Sequence, residues 1–311
     1  MAISVNTVEE LRERPLYRES LSFSDGVRQL LDILGEYSFP EAKMIPCGIQ
    51  GCRTPHMRGF LVVTTDGLET NIGNVCGKKH LGVNFQEKRT AFRQKQVEIR
   101  NVSQIFEVKQ LLKKLKPTLE RLEVRSGRIA KLKILVNKAH PQLVRLVSGR
   151  AKLSQASLFK TVLMEESEAR RQYTHEVEPD SKGRLESFEN WFIRRRPVKS
   201  IAAGSLIGLS FWKHDLHKLL RQDILNTVNE LEGLADAAIL ELTPLILRRY
   251  AKWGQTLEQR INEVYLIVQE GEDFFSCDNI EALKLLEPEL DLASRRNVRD
   301  ALDQLRKAAS L

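Results

Sequence analysis

Apolar residues in the middle of the chain recur at helical spacing. Val108, Leu112, Leu115, Leu119, Leu122 and Ile129 step by alternating fours and threes, with the polar Ser126 interrupting the seam. This is a heptad pattern, which predicts a long helix with one face buried against a partner. The pattern continues less regularly through Leu132, Val136, Leu143, Leu146, Leu153 and Val162. Pro117 and Pro141 are expected kinks, because proline lacks the backbone donor and crowds the preceding turn. The period changes over 174–213, where HEVEPDSKGRLE and RRRPVKSIAAGSLIGLSFW carry proline, glycine and short apolar runs suited to a small β or loop insertion. Helical spacing returns in Leu216, Leu220, Ile224, Val228 and Leu231, and again in Leu257, Ile261, Val264 and Val268, with Pro288 dividing the closing helices.

Before the seam, Thr7 with Glu10 three residues on reads as a capped helix start. Ser24 or Asp25 reads as a second, opening a helix with Val27, Leu30, Leu31 and Leu34 on one side. Pro40 and Pro46 break the chain ahead of a short β segment, in which a strand over Gly59–Thr65 leads into the Asp66-Gly67 turn of a hairpin. The expected fold is therefore mainly α. An N-terminal region of helices and finger (1–90) precedes a long helical arm (91–173), a β/loop insertion (174–213) and a returning arm with closing helices (214–311). The two arms would pack as an antiparallel, coiled-coil hairpin.

Charge divides these segments sharply. Residues 1–76 hold 7 Lys and Arg against 10 Asp and Glu, residues 77–173 hold 23 against 8, 174–212 hold 6 against 5, and 213–311 hold 13 against 18. Residues 77–173, the finger's helix start and the first arm, thus carry +15 in a chain of +8 overall. Clustered Lys and Arg suit a polyanion, because they displace the counterions condensed on its phosphates. The residues so singled out are Lys78 and Lys79, then Lys113, Lys114, Lys116, Arg121, Arg125, Arg128, Lys131 and Lys133. An acidic returning arm could instead neutralise them, which would favour a scaffold that joins other proteins or itself through coiled coils. Arg194-Arg195-Arg196 beside Trp191 and Phe192 offers a third contact zone, although this aromatic pair also suits a core.

Cysteine usage supplies the candidate chemistry. Three of the four cysteines lie within thirty residues, a clustering that favours metal over disulfides, while Cys277 stands alone and is expected as a buried thiol. The motif is C-x4-C-x3-H, a β segment, then C-x3-H. Gly48 and Gly51 allow the turn that lets Cys47 and Cys52 converge, and Cys76 and His80, four apart, share one face of a helix start. Four such ligands fill a tetrahedral shell, so Cys47, Cys52, Cys76 and His80 are expected to hold a structural Zn2+.

Over residues 45–90 this order resembles the treble-clef zinc-finger fold group, in which a knuckle, a hairpin and a helix start bring ligands to one point. The resemblance implies Cys47 and Cys52 as the knuckle pair and Cys76 and His80 as the helical pair. The knuckle spacing of four departs from the commoner two and leaves His56 as an alternative ligand. The spacing of His56, Asn71 and His80 also resembles the HNH nuclease motif, but His56 precedes the predicted strand, and His80 would have to leave the metal. His214 and His217 with Asp215 form a further metal candidate at a helix start. No phosphate loop, dinucleotide-binding turn or nucleophile elbow occurs.

Neither the first residues nor the Ile201–Trp212 run suits a signal or membrane span, so a soluble cytoplasmic protein is expected. Its expected function is non-enzymatic: binding nucleic acid without sequence specificity through the basic arm and finger.

Overall fold

The computed structural model describes residues 3–23, 28–40, 43–179, 181 and 184–310. The protein is mainly α, as its pattern predicts, and one helix spans Asn74–Ala139. The chain forms two compact units. One comprises residues 1–108 with 236–254, the other 109–235 with 255–311.

In the first unit, α1 (Val8–Arg12) starts as expected. The Thr7 side chain accepts from the Glu10 amide, and the Glu10 carboxylate accepts from the Asn6 amide at 2.8 Å. The second expected helix is a strand, β1 (Leu30–Ser38). Leu30, Leu31 and Leu34 imitate a helical face, but burial alternates at Ile33, Gly35, Tyr37 and Phe39, and pairing with a central strand decides the outcome. Ser24, Asp25 and Val27 lie outside the described residues. Next come the short paired strands β2 (Ile45–Pro46) and β3 (Pro55–His56), then the hairpin β4 (Arg58–Thr64) and β5 (Glu69–Gly73), turning at Asp66-Gly67 with Gly67 at φ +82°. The sheet order is β1-β4-β5, all antiparallel. One of its faces buries Leu30, Ile33, Phe60, Val62 and Ile72, while Val5, Val8, Leu11, Tyr37, Phe39, Ile45 and Leu61 form a second cluster. The bidentate pair Arg14–Glu69 (2.5 and 2.9 Å) ties the N-terminal segment to β5.

Helix α2 (Asn74–Ala139) begins directly after β5 and has one non-helical residue, Gly82, at φ 57° and ψ −131°. That conformation is open only to glycine. Pro117 does not break the helix. It sits at an exposed position of the helix, away from the packed side. Helices α7 (Asp236–Leu240) and α8 (Pro244–Gln255) follow later in sequence, and a Cβ at Gly254 would meet the Val108 side chain at 2.2 Å, a measure of how closely α8 packs.

In the second unit, the seam residues Leu112, Leu119, Leu122, Ile129, Leu132 and Val136 are buried. Pro141 opens a new helix, α3 (Pro141–Lys152), where a kink was expected. His140 caps it, its Nδ1 accepting from the Leu143 amide at 3.0 Å and its Nε2 donating to the Ser294 carbonyl at 2.9 Å. The helical arm expected over 91–173 does not run to its end, because Val162 belongs to strand β6 (Ser157–Leu163). This strand pairs with β7 (Val198–Ser205), and α4 (Glu166–Glu176) and α5 (Phe188–Arg195) lie between them. Ala169, Phe188 and Trp191 form the small core of this element, with Phe192 packed against it.

The expected hairpin is elaborated into a bundle around the second half of α2. A π-helix (Lys218–Leu225) continues into α6 (Asn226–Gly233), where Lys109 reaches the Leu234 carbonyl at 2.6 Å. Helix α9 (Leu257–Phe274) packs on α2, with Gly271 against Ile129 and Arg125 paired with Glu272 at 2.6 and 2.8 Å. After α10 (Cys277–Ala282), α11 (Leu292–Ala309) runs antiparallel, since Ser294 meets His140 and the Ala309 carbonyl meets Arg128 at 2.5 Å. Cys277, expected as buried, is exposed at the start of α10.

Candidate metal centre and basic face

The knuckle is built by β2 and β3, which pair Ile45 with His56 and Pro46 with Pro55 and so return the chain on itself between Cys47 and Cys52. Its turn is closed by the amide of Cys52 on the Ile49 carbonyl (3.0 Å) and that of Cys47 on the Thr54 carbonyl (3.0 Å). Gly51 holds φ +82°, and at Gly48 a Cβ would lie 1.9 Å from the Thr70 hydroxyl oxygen. Both glycines are therefore required, the first by conformation and the second by proximity to β5.

Cys76 comes from the first turn of α2. The Gly82 break lets Phe85 fold back over that turn, where a Cβ on Gly77 would sit 2.5 Å from its ring, and Phe85 then packs edge-on against Phe60 at 5.7 Å. Together these elements place the three sulfurs of Cys47, Cys52 and Cys76 within 4.8 Å of one another, and none is in a disulfide. Tetrahedral thiolates at ~2.3 Å from a zinc ion stand roughly 3.8 Å apart, a separation of the size this cluster spans. Three close cysteines can hold a metal ion, and among the described residues no other group of this kind occurs.

The thiols are electrostatically unequal. Burial pushes Cys47 up to about 12 although the Ile49 and Gly73 amides donate to its sulfur. Burial also raises Cys76. At Cys52 burial is outweighed by hydrogen bonds from the Thr54 hydroxyl and amide and from the other two thiols, which bring it to about 6. The three sulfurs thus hold their protons unequally, Cys52 giving its own up most readily, and a cation would take the place of those protons.

His80 lies one turn beyond Cys76, exposed and outside the cysteine group. His56 is not a free ligand. Its Nε2 accepts from the Tyr37 hydroxyl at 2.7 Å, and its Nδ1 faces the Thr54 carbonyl at 3.1 Å. Asn71 is equally committed, buried with its side chain on the Tyr17 hydroxyl (2.6 Å) and the Pro46 carbonyl (2.8 Å). His214, His217 and Asp215 form no metal-sized group, and the Asp215 carboxylate accepts from the Lys218 amide at 3.1 Å.

Of the basic residues singled out by charge, Lys78 and Lys79 are exposed on the helical turn that carries Cys76. Lys113, Lys114, Lys116, Arg121, Arg128 and Lys131 are exposed along α2. Two are used inside the bundle. Arg125 pairs with Glu272 and covers the Tyr265 ring, while Lys133 is half-buried over Phe211 and Trp212, and burial lowers its pKa. Lys116 lies 4.0 Å from Glu232. Lys138 shares the exposed face, and its spacing of seven from Lys131 was the available signal. Around the third basic zone, Trp191 is a core residue and Arg194 pairs with Glu186 at 2.6 Å.

No protein-family model, curated protein or solved structure matches the chain. Among the described residues no helix is long and apolar enough to cross a membrane.

Proposed function

We propose that the protein binds nucleic acid without sequence specificity, using a zinc-stabilised finger and a basic helical arm. The observation that carries the reading is the charged face of α2, where Lys113, Lys114 and Lys131 are exposed with no partner among the described residues. Unpaired charge held on a rigid helix suits phosphates and supplies no set of side chains able to read base edges.

In the finger, Cys47, Cys52 and Cys76 would be three zinc ligands. His80 would be the fourth, since it lies one turn on from Cys76 and shares its helix face. The knuckle, hairpin and helix-start order of 45–81 supports the treble-clef likeness. Such an ion would have no open coordination position, and its role would be to hold the head together. A nuclease of the HNH kind is disfavoured by the commitment of His56 and Asn71 to structural hydrogen bonds.

Zinc analysis of freshly purified protein, with duplex and single-stranded binding followed across a salt series, tests both halves. One zinc per chain and affinity that falls steeply with salt are expected. Metal-free folded protein would refute the finger, and absence of binding at low salt would refute the arm. The alternative reading, a protein-interaction scaffold, draws on the β6–β7 ribbon, which exposes Phe159, Leu163 and Val198. It predicts self-association or co-purifying protein in place of nucleic acid.

A further inference from the structure

The exposed face of α2 has a geometry that goes further than its net charge. Residues 113–138 contain nine Lys and Arg against two acidic residues, Glu120 and Glu123, and no aromatic residue or histidine. Lys113, Lys114, Arg121, Arg128, Lys131 and Lys138 are all exposed, and at 3.6 residues per turn they fall within about a third of the helix circumference. None of the six has a carboxylate partner among the described residues. Arg121 and Arg128 donate only to neutral oxygens, of Pro117 and Thr118 and of Ala309, and keep their full charge. Glu120 lies within the same face and is the one opposing charge on it.

The row is continuous, because α2 keeps helical backbone through this stretch, Pro117 included, and its opposite side is locked into the bundle by Leu119, Leu122, Ile129 and Val136. At ~1.5 Å per residue it runs for about 37 Å, with seven-residue steps of roughly 10 Å. A rigid row of this kind needs phosphates held at fixed positions over that length. A duplex supplies them, since about 37 Å corresponds to roughly 11 base pairs at ~3.4 Å per pair.

A single strand holds to proteins largely by stacking its bases on aromatic rings, and this face has none. The rings beside it already carry cations of α2, Tyr265 beneath the Arg125 guanidinium at 5.0 Å and Phe211 and Trp212 beneath the Lys133 ammonium. We propose, resting on the nucleic-acid reading above, that the partner of α2 is a double helix gripped along about one turn by its phosphates.

The test uses the full chain with DNA probes of one sequence, as duplexes of 6, 12 and 24 base pairs and as a 24-nucleotide single strand, over about 20–200 mM salt. Expected are at least tenfold preference for the 12-base-pair duplex over the single strand, a large loss between 12 and 6 base pairs, and a log–log salt slope near −5 for six phosphate contacts. The variant Lys114→Ala/Lys131→Ala/Lys138→Ala, at exposed positions without a partner among the described residues, should keep its melting temperature and lose about three from that slope.

Single-strand binding as tight as duplex binding would overturn the inference while leaving nucleic-acid binding standing. So would a salt slope unchanged in the triple variant, or displacement by polyglutamate as readily as by duplex. Absence of binding to every probe at low salt would instead remove the functional reading on which the inference rests.

Discussion

At the scale of single residues, the head depends on side chains whose partners are few and exact in position. Exchange of Cys52 for Ser removes one of three converging sulfurs, and structural zinc sites contribute apparent folding energies of roughly 10–16 kcal/mol. The variant is therefore expected to purify without zinc and to be cut within residues 43–81 by a protease that spares the wild type. His56 makes a second, independent prediction. Burial lowers its pKa, so the folded ring stays neutral at a pH where the unfolded chain takes up a proton. Its contribution is fully present above about pH 6.5, the value of the free side chain, and is lost as pH falls below it. Urea midpoints at pH 7.5, 6.5 and 5.5 should fall more steeply for the wild type than for His56→Gln. Parallel curves would show that the Tyr37–His56 hydrogen bond does not govern this range.

At the scale of elements, two joints are open to test. His140 is buried with both ring nitrogens used, and His140→Ala should cost about 1–2 kcal/mol through the lost cap of α3, read from denaturant midpoints. Gly82→Ala forces a side chain onto a backbone angle it avoids and should cost about 1–3 kcal/mol, with Phe85 displaced from Gly77. These joints also mark where sequence pattern stops being informative. The capped start at Thr7, the Asp66-Gly67 turn, the knuckle cysteines and the heptad seam are written in local spacing, and so they could be read directly. Strand β1 could not, because its leucines fit a helix equally well and only pairing with β4 chooses between them. The same is true of β6, whose partner β7 follows 35 residues later, and of Gly82, whose conformation depends on Phe85 reaching the sheet. The alignment of Lys114, Arg121 and Arg128 was present in their heptad spacing, but the loss of Arg125 and Lys133 to the bundle required Glu272 and Trp212 in space.

At the scale of the molecule, the zinc reading implies that the finger and the helices draw their stability from different sources. Most of the helical content lies outside residues 43–81 and is held by buried apolar surface that no metal supports. A zinc chelator is thus expected to leave the far-UV helical signal nearly unchanged while abolishing protease resistance in the head. A collapse of the whole helical signal would mean that the two are coupled. The packing of α2 carries a further consequence, for synthesis. Arg128 and Ala309, joined across the bundle, are 181 positions apart, and Arg125 and Glu272 are 147 apart. At roughly 5–20 residues per second, the apolar seam of α2 waits on the order of 10–40 s after it is made before α9 and α11 are both present beside it. During that interval the nascent chain presents Leu119, Leu122, Ile129 and Val136 as a long unshielded stripe, so chaperone dependence and aggregation on truncation should both centre on this helix.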